Sequence, residues 1–410
     1  MTNYAQSNQP VSDGDMIEIV QQNSLVRIPV SALVKYFTGN DTYGRNPNSL
    51  KRFRTALAGT LTGASRTRIL CIGDSTTFGV GSNGHNGAGG GDMQPTSYPT
   101  MLASVLSTMG YPANAHSIAG MGSGSFESRF TNDGRFTVGN SWSLYTAGNG
   151  QTLGGCMALA TTGTNALSFT PSGQCDSFKI WGIKYSANGT LSAKINAGTA
   201  TTHSFAGTPT GIDSFTITGT LGANTLNLTW SSGGTTYVSA IEAWNSALPQ
   251  ICITNAGWPG AKVADISANS GGDSGSTYNP VQLALAYAPD LYIVSIGIND
   301  WTANTDINTW VSQLTTFVTT IQATADVILV SPAPSATSAA SVDTQNKYVQ
   351  AMKKIASDHG CVFVDNWGRL GLWADNNAMY ANLPTPGNLH PNGLGYTDFA
   401  HAIARTIAGS

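Results

Sequence analysis

Five short apolar runs, each followed by a turn rich in glycine or polar residues, constrain the fold of this chain most strongly. They lie at residues 68–72, 250–254, 291–296, 326–330 and 361–364. Helical patterns follow at about residues 279–287, 305–324, 341–358 and 395–407. Apolar strands that alternate with helices are typical of a parallel sheet covered on both faces. The sequence therefore predicts an α/β fold with a five-stranded parallel sheet.

The interval between the first and second strands is too long for a single crossover connection. From about residue 130 to 247 it contains short alternating runs, separated by turns rich in Gly, Asn, Ser and Pro. Turns that recur every 8 to 12 residues or so are typical of an antiparallel β-sandwich. We therefore predict an inserted sandwich at 131–247 that divides the α/β domain into residues 45–130 and 248–410. A carbohydrate-binding face is one interpretation of the sandwich, because such folds host many functions.

The N-terminal segment has a pattern of its own. Residues 13–37 predict two short strands around a turn at Gln22-Asn23, followed by a short helix from about Ser31. Such a unit cannot bury a core alone. A polar joint follows and predicts a boundary near Gly44, so residues 1–44 form a separate segment.

Composition excludes some classes of partner. Charged residues make up 10% of the 410 residues, and the net charge is -3. Because positive charge is not clustered, we expect no nucleic-acid partner. No segment approaches the roughly 18 consecutive apolar residues that a membrane span needs. The first residues lack a basic start followed by an apolar run, so we expect no standard secretion signal.

The cysteines do not indicate a disulfide scaffold, because five is a small and odd number for this length. Cys71, Cys252 and Cys361 lie in apolar strand-like runs and are expected in the core. Cys156 and Cys175 either pair or stay free. No spacing of Cys and His resembles a zinc site, and we expect no metal or cofactor.

Residues that could take part in catalysis follow the predicted strands, at the edge where open α/β sheets bind ligands. Ser75 comes just after the first strand, where a strand-to-helix turn can expose a nucleophilic hydroxyl. Gly260 and Asn299 follow the second and third strands and offer a backbone N–H and a neutral amide donor. His390 precedes the final helix and supplies an imidazole, the usual general base. Each residue alone is more typical of an ordinary turn, a helix cap or a solvated loop.

Taken together, these motifs resemble the SGNH/GDSL hydrolase family. The blocks GDSTTFG, NAGWPGAK, GIND and a terminal HP occur in that order over residues 73–391. The resemblance implies a flavodoxin-like, three-layer α/β/α fold. It implies Ser75 as nucleophile and His390 as base. It also implies an oxyanion hole formed by the Ser75 N–H, the Gly260 N–H and the Asn299 side chain.

One position departs from the family's pattern. The family usually carries an Asp three residues before its His, and this sequence has Gly387 there. Three hypotheses stay open. A backbone carbonyl orients His390 in a Ser-His dyad, an acid comes from elsewhere with Asp375 and Asp365 the nearest candidates, or activity is lost.

Two glycine-rich segments also bear on the site. SIAGMGSG at 117–124 is a weaker rival to Gly260 as the source of the oxyanion glycine. His85 lies in a loop that is either an ordinary surface loop or a lid beside Ser75. The remaining histidines are expected in the core or on the surface: His116, His203, His359 and His401.

The N-terminal segment resembles the attachment segments of bacteriophage tail fibre and tail-spike proteins. The resemblance implies a virion protein of the phage tail that removes O-acetyl groups from a bacterial surface polysaccharide outside the host cell. Its partners would be that O-acetylated glycan and phage tail proteins bound through residues 1–44. A homotrimer would suit a fibre, but no coiled-coil heptads indicate one. The alternatives are an SGNH lipase or thioesterase with a longer acyl substrate, and a non-catalytic glycan-binding adhesin.

Overall fold

The computed structural model describes residues 16–21, 24–29, 42–43, 48–84, 91–146, 152–268, 278–335, 340–372, 376–381 and 389–409. The two predicted N-terminal strands are present and pair antiparallel as β1 (Met16–Gln21) and β2 (Ser24–Pro29). Their turn and the helix predicted from about Ser31 lie outside the described residues. A third strand, β3 (Thr42–Tyr43), pairs with the edge of the main sheet.

In the described part of the chain, the main sheet has six parallel strands at its centre. They are β4 (Thr67–Gly73), β5 (Ala113–Ala119), β16 (Ile251–Gly257), β17 (Leu291–Ser295), β18 (Asp326–Val330) and β19 (Val362–Val364). Their order in space is β5-β16-β4-β17-β18-β19. Five match the predicted runs, and β5 is additional. Its sequence ANAHSIA is interrupted by polar residues, so it does not resemble a buried strand.

Helices cover both faces of this sheet, and the predicted α/β fold is confirmed. They are α1 (Lys51–Leu61), α2 (Ser75–Phe78), α3 (Tyr98–Thr108), α4 (Arg129–Asn132), α5 (Val263–Ile266), α6 (Pro280–Tyr287), α7 (Ile298–Thr302), α8 (Ile307–Gln322), α9 (Val342–Asp358), α10 (Asn366–Leu370) and α11 (Gly393–Ala408). Short 3-10 turns occupy Ser82–Gly84, Gln94–Thr96 and Asn377–Met379. Side chains of β4 alternate between the two faces, as strand geometry requires. Leu70 and Ile72 join the core under α6, α8 and α9, whereas Ile69 and Cys71 join the core under α1, α3 and α11.

Polar caps set where the long helices begin. Asp306, Ser341 and Asn392 each accept a hydrogen bond from a backbone N–H in the first turn of α8, α9 and α11. Such caps satisfy donors that a helix leaves unpaired. The Asn392 cap also fixes the entry to α11, directly after His390.

The inserted segment is a β-sandwich, and one of its two sheets continues the main sheet. Its strands are β6 (Phe136–Val138), β7 (Ser143–Tyr145), β8 (Met157–Ala160), β9 (Leu167–Phe169), β10 (Cys175–Lys184), β11 (Gly189–Ile195), β12 (Thr201–Ser204), β13 (Gly211–Gly222), β14 (Leu226–Gly233) and β15 (Thr236–Trp244). One sheet has the order β12-β11-β14-β9-β6. The other, β13-β10-β15, joins the parallel strands where Ile241 pairs with Ile118. Phe169, Phe178 and Leu228 fill the space between the sheets.

The structure answers the question about the cysteines. Cys71, Cys156, Cys175, Cys252 and Cys361 are all free and buried, so Cys156 and Cys175 do not pair. Among the described residues, no helix is long and apolar enough to cross a bilayer. Within the same residues, no group of three or more His, Cys, Asp or Glu side chains could hold a metal ion.

Gly73, at the end of β4, is closely packed between β17 and the start of α2. A Cβ atom there would lie 2.1 Å from the Ser295 carbonyl oxygen and 2.2 Å from Thr77 Oγ1. Overpacking of this kind costs about 1–3 kcal/mol or more. We therefore expect Gly73→Ala to lower the thermal midpoint clearly. Gly222→Ala, whose new Cβ would meet an atom only at 3.7 Å, should leave it nearly unchanged; equal midpoints would contradict this packing.

Candidate active site

The strand ends that carry the predicted site residues are neighbours in the sheet. β4 lies between β16 and β17, and Gly73 at its end is level with Gly257 on one side and Ser295 on the other. Carboxyl ends of parallel strands form the ligand-binding edge of such sheets. The segments that contain Ser75, Gly260 and Asn299 therefore leave the sheet side by side.

Ser75 is the first residue of α2, a single helical turn. The Asp74 carboxylate caps this turn and accepts a hydrogen bond from the Thr76 N–H at 2.9 Å. Gly79, at φ 112°, ends it in a left-handed conformation that favours glycine. Ser75 is only 5% exposed, so its hydroxyl is held in a defined place.

The structure brings Ser75 and His390 together although 315 residues separate them. Ser75 Oγ and His390 Nε2 are 2.7 Å apart, a hydrogen-bond distance. His390 is 8% exposed, and its carbonyl oxygen accepts a hydrogen bond from the Ala381 N–H at 3.0 Å. A hydroxyl in contact with an imidazole is the arrangement that activates a serine nucleophile.

Gly81 makes room for this pair, a role that the sequence did not reveal. It has φ 92°, and a Cβ atom there would lie 2.9 Å from His390 Cβ and 2.5 Å from the Pro391 carbonyl oxygen. The Tyr396 hydroxyl donates to the neighbouring Val80 carbonyl oxygen. The loop after α2 therefore packs directly against the backbone that carries the histidine.

Asn299 reaches the loop that contains Gly260. Its Nδ2 donates to the Ala261 carbonyl oxygen at 2.9 Å. An amide nitrogen carries two protons, and this bond uses one of them. Gly260 is exposed and has φ 84°, a conformation that other residues adopt only with strain. The two predicted oxyanion donors therefore belong to one connected unit.

Asp300 also binds the segment that contains Gly260 and Ala261. Its carboxylate is fully buried and accepts a hydrogen bond from the Val263 N–H at 3.0 Å. Consecutive residues of the GIND motif thus bind consecutive parts of one loop, Asn299 at Ala261 and Asp300 at Val263. The motif positions the Gly260 loop as well as supplying an amide.

Two buried carboxyl groups lie beneath the site. Burial raises the pKa of Asp74 to about 7, because the Thr76 hydrogen bonds offset only part of the lost hydration and the charge of Asp300 adds repulsion. Burial likewise raises the pKa of Asp300 to about 6, with the Val263 N–H opposing that shift and the charge of Asp265 adding to it. Both groups therefore change charge near neutral pH.

The rival glycine segment at 117–124 lies near the turn that carries Ser75, since a Cβ atom on Gly122 would lie 2.8 Å from Cε2 of Phe78. It follows β5, which β16 separates from β4. A Cβ atom on Gly120 would lie 2.1 Å from the carbonyl group of Gly154, and one on Gly122 would lie 2.6 Å from the Glu127 carbonyl oxygen. These glycines allow close packing against neighbouring loops, so Gly260 stays the better candidate.

The structure gives Asp365, one candidate acid, another role. Its carboxylate caps α10 and accepts a hydrogen bond from the Gly368 N–H at 2.8 Å. No hydrogen bond joins it to His390 among the described residues. The other candidate, Asp375, lies outside the described residues, and so do Gly387 and His85.

A buried arginine that sequence analysis missed connects the loops around the site. Arg129 Nη2 donates to the carbonyl oxygen and the side-chain oxygen of Asn255 at 2.9 and 3.1 Å, and Nε donates to the Gly120 carbonyl oxygen at 2.9 Å. Its guanidinium lies 4.9 Å from the centre of the Phe78 ring. Desolvation lowers the pKa of Arg129 to about 10, and Asp133 opposes that shift. Asn255 lies in the NAG motif, but nothing local in the sequence identifies its arginine partner.

Two of the other described histidines, His116 and His203, lie away from Ser75. Burial, with a smaller effect of Arg135, lowers the pKa of His116 to about 4. His203 hydrogen-bonds Asp213 at 3.0 Å and stacks on Phe215 in the sandwich. These contacts agree with the structural roles expected for them.

Comparisons with known proteins agree with this site. Residues 213–397 match the GDSL-like Lipase/Acylhydrolase family, a range that includes Gly260, Asn299 and His390 and excludes Ser75. No curated protein sequence matches the chain. A solved structure of a peptidoglycan O-acetylesterase has 18% identity and a TM-score of 0.66 and covers 90% of this chain and 99% of its own.

Two further solved structures are less similar in fold. A catalytic mutant of an acetylxylan esterase from Geobacillus stearothermophilus has 22% identity, covers 38% of this chain and 73% of its own, and has a TM-score of 0.31. A carbohydrate esterase family 2 enzyme with a carbohydrate binding domain, from Corynascus thermopiles, has 15% identity, covers 66% and 99%, and has a TM-score of 0.30.

The fold, the contact between Ser75 and His390, and the match over residues 213–397 indicate an ester hydrolase. Over the matched residues the chain is similar to the GDSL-like Lipase/Acylhydrolase family. The catalytic roles of the individual residues stay predictions.

The raised pKa of Asp74 has a measurable consequence for stability. The pKa of this carboxyl group rises on folding from 3.8 to about 7. Its contribution to stability is therefore complete below about pH 4 and is lost as the pH rises through about 7. Asp74→Asn keeps the helix cap but cannot ionise. Between pH 5 and 8 we expect wild type to lose more stability than the variant, by on the order of 2 kcal/mol.

The control is Asp306→Asn at the exposed cap of α8. Hydrogen bonds from Thr309 lower the pKa of Asp306 below 3.8, so it stays ionised throughout this range. Between pH 5 and pH 8, the thermal midpoint should fall by the same amount for wild type and for the Asp306 variant. Equal falls for all three proteins would show that Asp74 does not titrate there.

Proposed function

We propose that this protein is a serine O-acetylesterase that removes O-acetyl groups from a bacterial surface polysaccharide. The observation that carries the proposal is the 2.7 Å contact between Ser75 Oγ and His390 Nε2 at the carboxyl edge of the sheet. A glycan-binding adhesin would not need a nucleophile held against a base.

The proposed reaction begins at the acetyl carbonyl carbon. Ser75 Oγ attacks this carbon while its proton passes to His390 Nε2. The resulting oxyanion accepts hydrogen bonds from the N–H groups of Ser75 and Gly260 and from the Asn299 amide. The C–O bond to the sugar then breaks, and the sugar oxygen leaves with the proton from His390. The acetyl group is now bound to Ser75.

Water completes the cycle. His390 takes a proton from a water molecule, whose oxygen attacks the acetyl carbonyl of the acyl-enzyme. The same donors hold the second oxyanion. Acetate leaves as Ser75 Oγ regains its proton from His390, and the enzyme returns to its starting state.

One observation supports a small acyl group on a sugar. The structure with the TM-score of 0.66 is named as a peptidoglycan O-acetylesterase, and it shares the fold over 90% of this chain.

We also propose that the protein belongs to a phage tail and acts at the host surface. The support is the resemblance of residues 1–44 to tail attachment segments, together with the antiparallel pairing of β1 and β2. In this proposal the segment binds phage tail proteins, and the assembly is a homotrimer.

Acetate release tests the enzymatic proposal. Wild type should release acetate from an O-acetylated bacterial surface polysaccharide and hydrolyse p-nitrophenyl acetate. Ser75→Ala and His390→Ala should each lose at least about a thousandfold of both activities, since the two residues act as one unit. Circular dichroism and thermal midpoints establish that the variants fold.

Acyl chain length separates the alternatives. Hydrolysis of p-nitrophenyl esters should decline from acetate to butyrate to octanoate, whereas a rise would favour a lipase or thioesterase. Binding of the polysaccharide with no acetate release from any acetylated glycan would favour the adhesin.

Removal of residues 1–41 tests the attachment proposal. The cut keeps β3, which pairs with β19 at the sheet edge. The shortened protein should keep its esterase activity but fail to enter phage particles assembled in its presence. Incorporation equal to that of the full chain, measured by immunoblot of purified particles, would contradict the proposal.

A further inference from the structure

Phe126 is the most exposed large apolar side chain in the part of the chain that the structure describes. It is 74% exposed. Single exposed apolar residues are common on protein surfaces, so exposure alone indicates little. Its position is more informative, because its ring lies against the glycine of the predicted oxyanion hole. A Cβ atom added to Gly260 would lie 3.1 Å from Cε2 and 3.3 Å from Cδ2 of Phe126.

The backbone around Phe126 is tied at both ends. The Ser123 N–H donates to the Glu127 carbonyl oxygen at 2.8 Å, so the segment closes on itself as a tight turn. The Arg129 N–H donates to the Met121 carbonyl oxygen at 2.9 Å, and the Arg129 side chain is fully buried. Phe126 therefore stands at the tip of an anchored turn.

The direction of the ester in the site follows from the burial of the reacting groups. Ser75 and His390 are almost enclosed, whereas Gly260 and Phe126 are exposed. A polysaccharide is too large to be enclosed, so the alcohol part of the proposed substrate must lie on the exposed side of the site, where Gly260 and Phe126 are. In an O-acetylated polysaccharide that alcohol part is a pyranose ring.

We propose that Phe126 is a specificity-determining residue whose ring packs against the pyranose that carries the acetyl group. This inference rests on the O-acetylesterase function proposed above. One face of a pyranose presents C–H groups, which pack on the electron-rich face of an aromatic ring. A ring held in place by its backbone loses little conformational freedom when a sugar binds.

The test compares two acetate esters that differ in the alcohol part. One is a mono-O-acetylated methyl pyranoside and the other is ethyl acetate, which has no ring. Acetate release gives kcat and KM for wild type, Phe126→Ala and Phe126→Tyr. Tyr185→Ala is the matched control, because Tyr185 is an aromatic residue of the sandwich surface with 45% exposure.

For Phe126→Ala we expect the ratio of kcat/KM for the pyranoside to kcat/KM for ethyl acetate to fall about fivefold. The fall should come mainly from a higher KM for the pyranoside. Phe126→Tyr should restore the ratio, and Tyr185→Ala should leave it at the wild-type value.

Two results would overturn the inference while the proposed function stands. An equal loss on both esters would mean that Phe126 only supports the Gly260 loop, and no loss on either would mean that its ring contacts no sugar. If wild type hydrolyses ethyl acetate but no acetylated sugar, the proposed function itself fails, and the inference fails with it.

Discussion

The site depends on the register of three adjacent strands. Gly257, Gly73 and Ser295 lie level at the ends of β16, β4 and β17, so the segments that follow them start from one line. The glycine at the centre allows this, because a side chain there would overlap the Ser295 carbonyl oxygen. Ser75 begins its single helical turn just after these strand ends. His390, which lies just before α11 near the end of the chain, contacts the Ser75 hydroxyl.

Buried polar groups then hold the loops above this line. Asp300 and Asn299 bind the loop of Gly260, and Arg129 ties the ends of β5 and β16 together above Phe78. Such groups are costly to bury and are stable only when hydrogen-bonded. They favour one arrangement of these loops. Burial, which disfavours the charged form, is also the main cause of the raised pKa of Asp300.

Local sequence patterns predicted the strands, the long helices and the segments that carry Ser75 and His390, because burial on both faces leaves unbroken apolar runs. Features that depend on distant partners were not predictable. The polar residue Ser117 of β5 accepts a hydrogen bond from the Ala243 N–H of the insert, and Arg129 has partners that no spacing reveals. The union of the sandwich with the main sheet, through Ile241 and Ile118, was hidden for the same reason. It also means that the insert is built into the fold.

The most direct test of this account is the rate and position of covalent labelling by a fluorophosphonate, which reacts only with an activated serine. Peptide mapping by mass spectrometry should place the label on Ser75. The His390→Ala variant, shown to be folded, should react at least about tenfold more slowly, since it lacks the base. Labelling of another serine, or an unchanged rate in the variant, would contradict the claim that Ser75 and His390 form the nucleophilic pair.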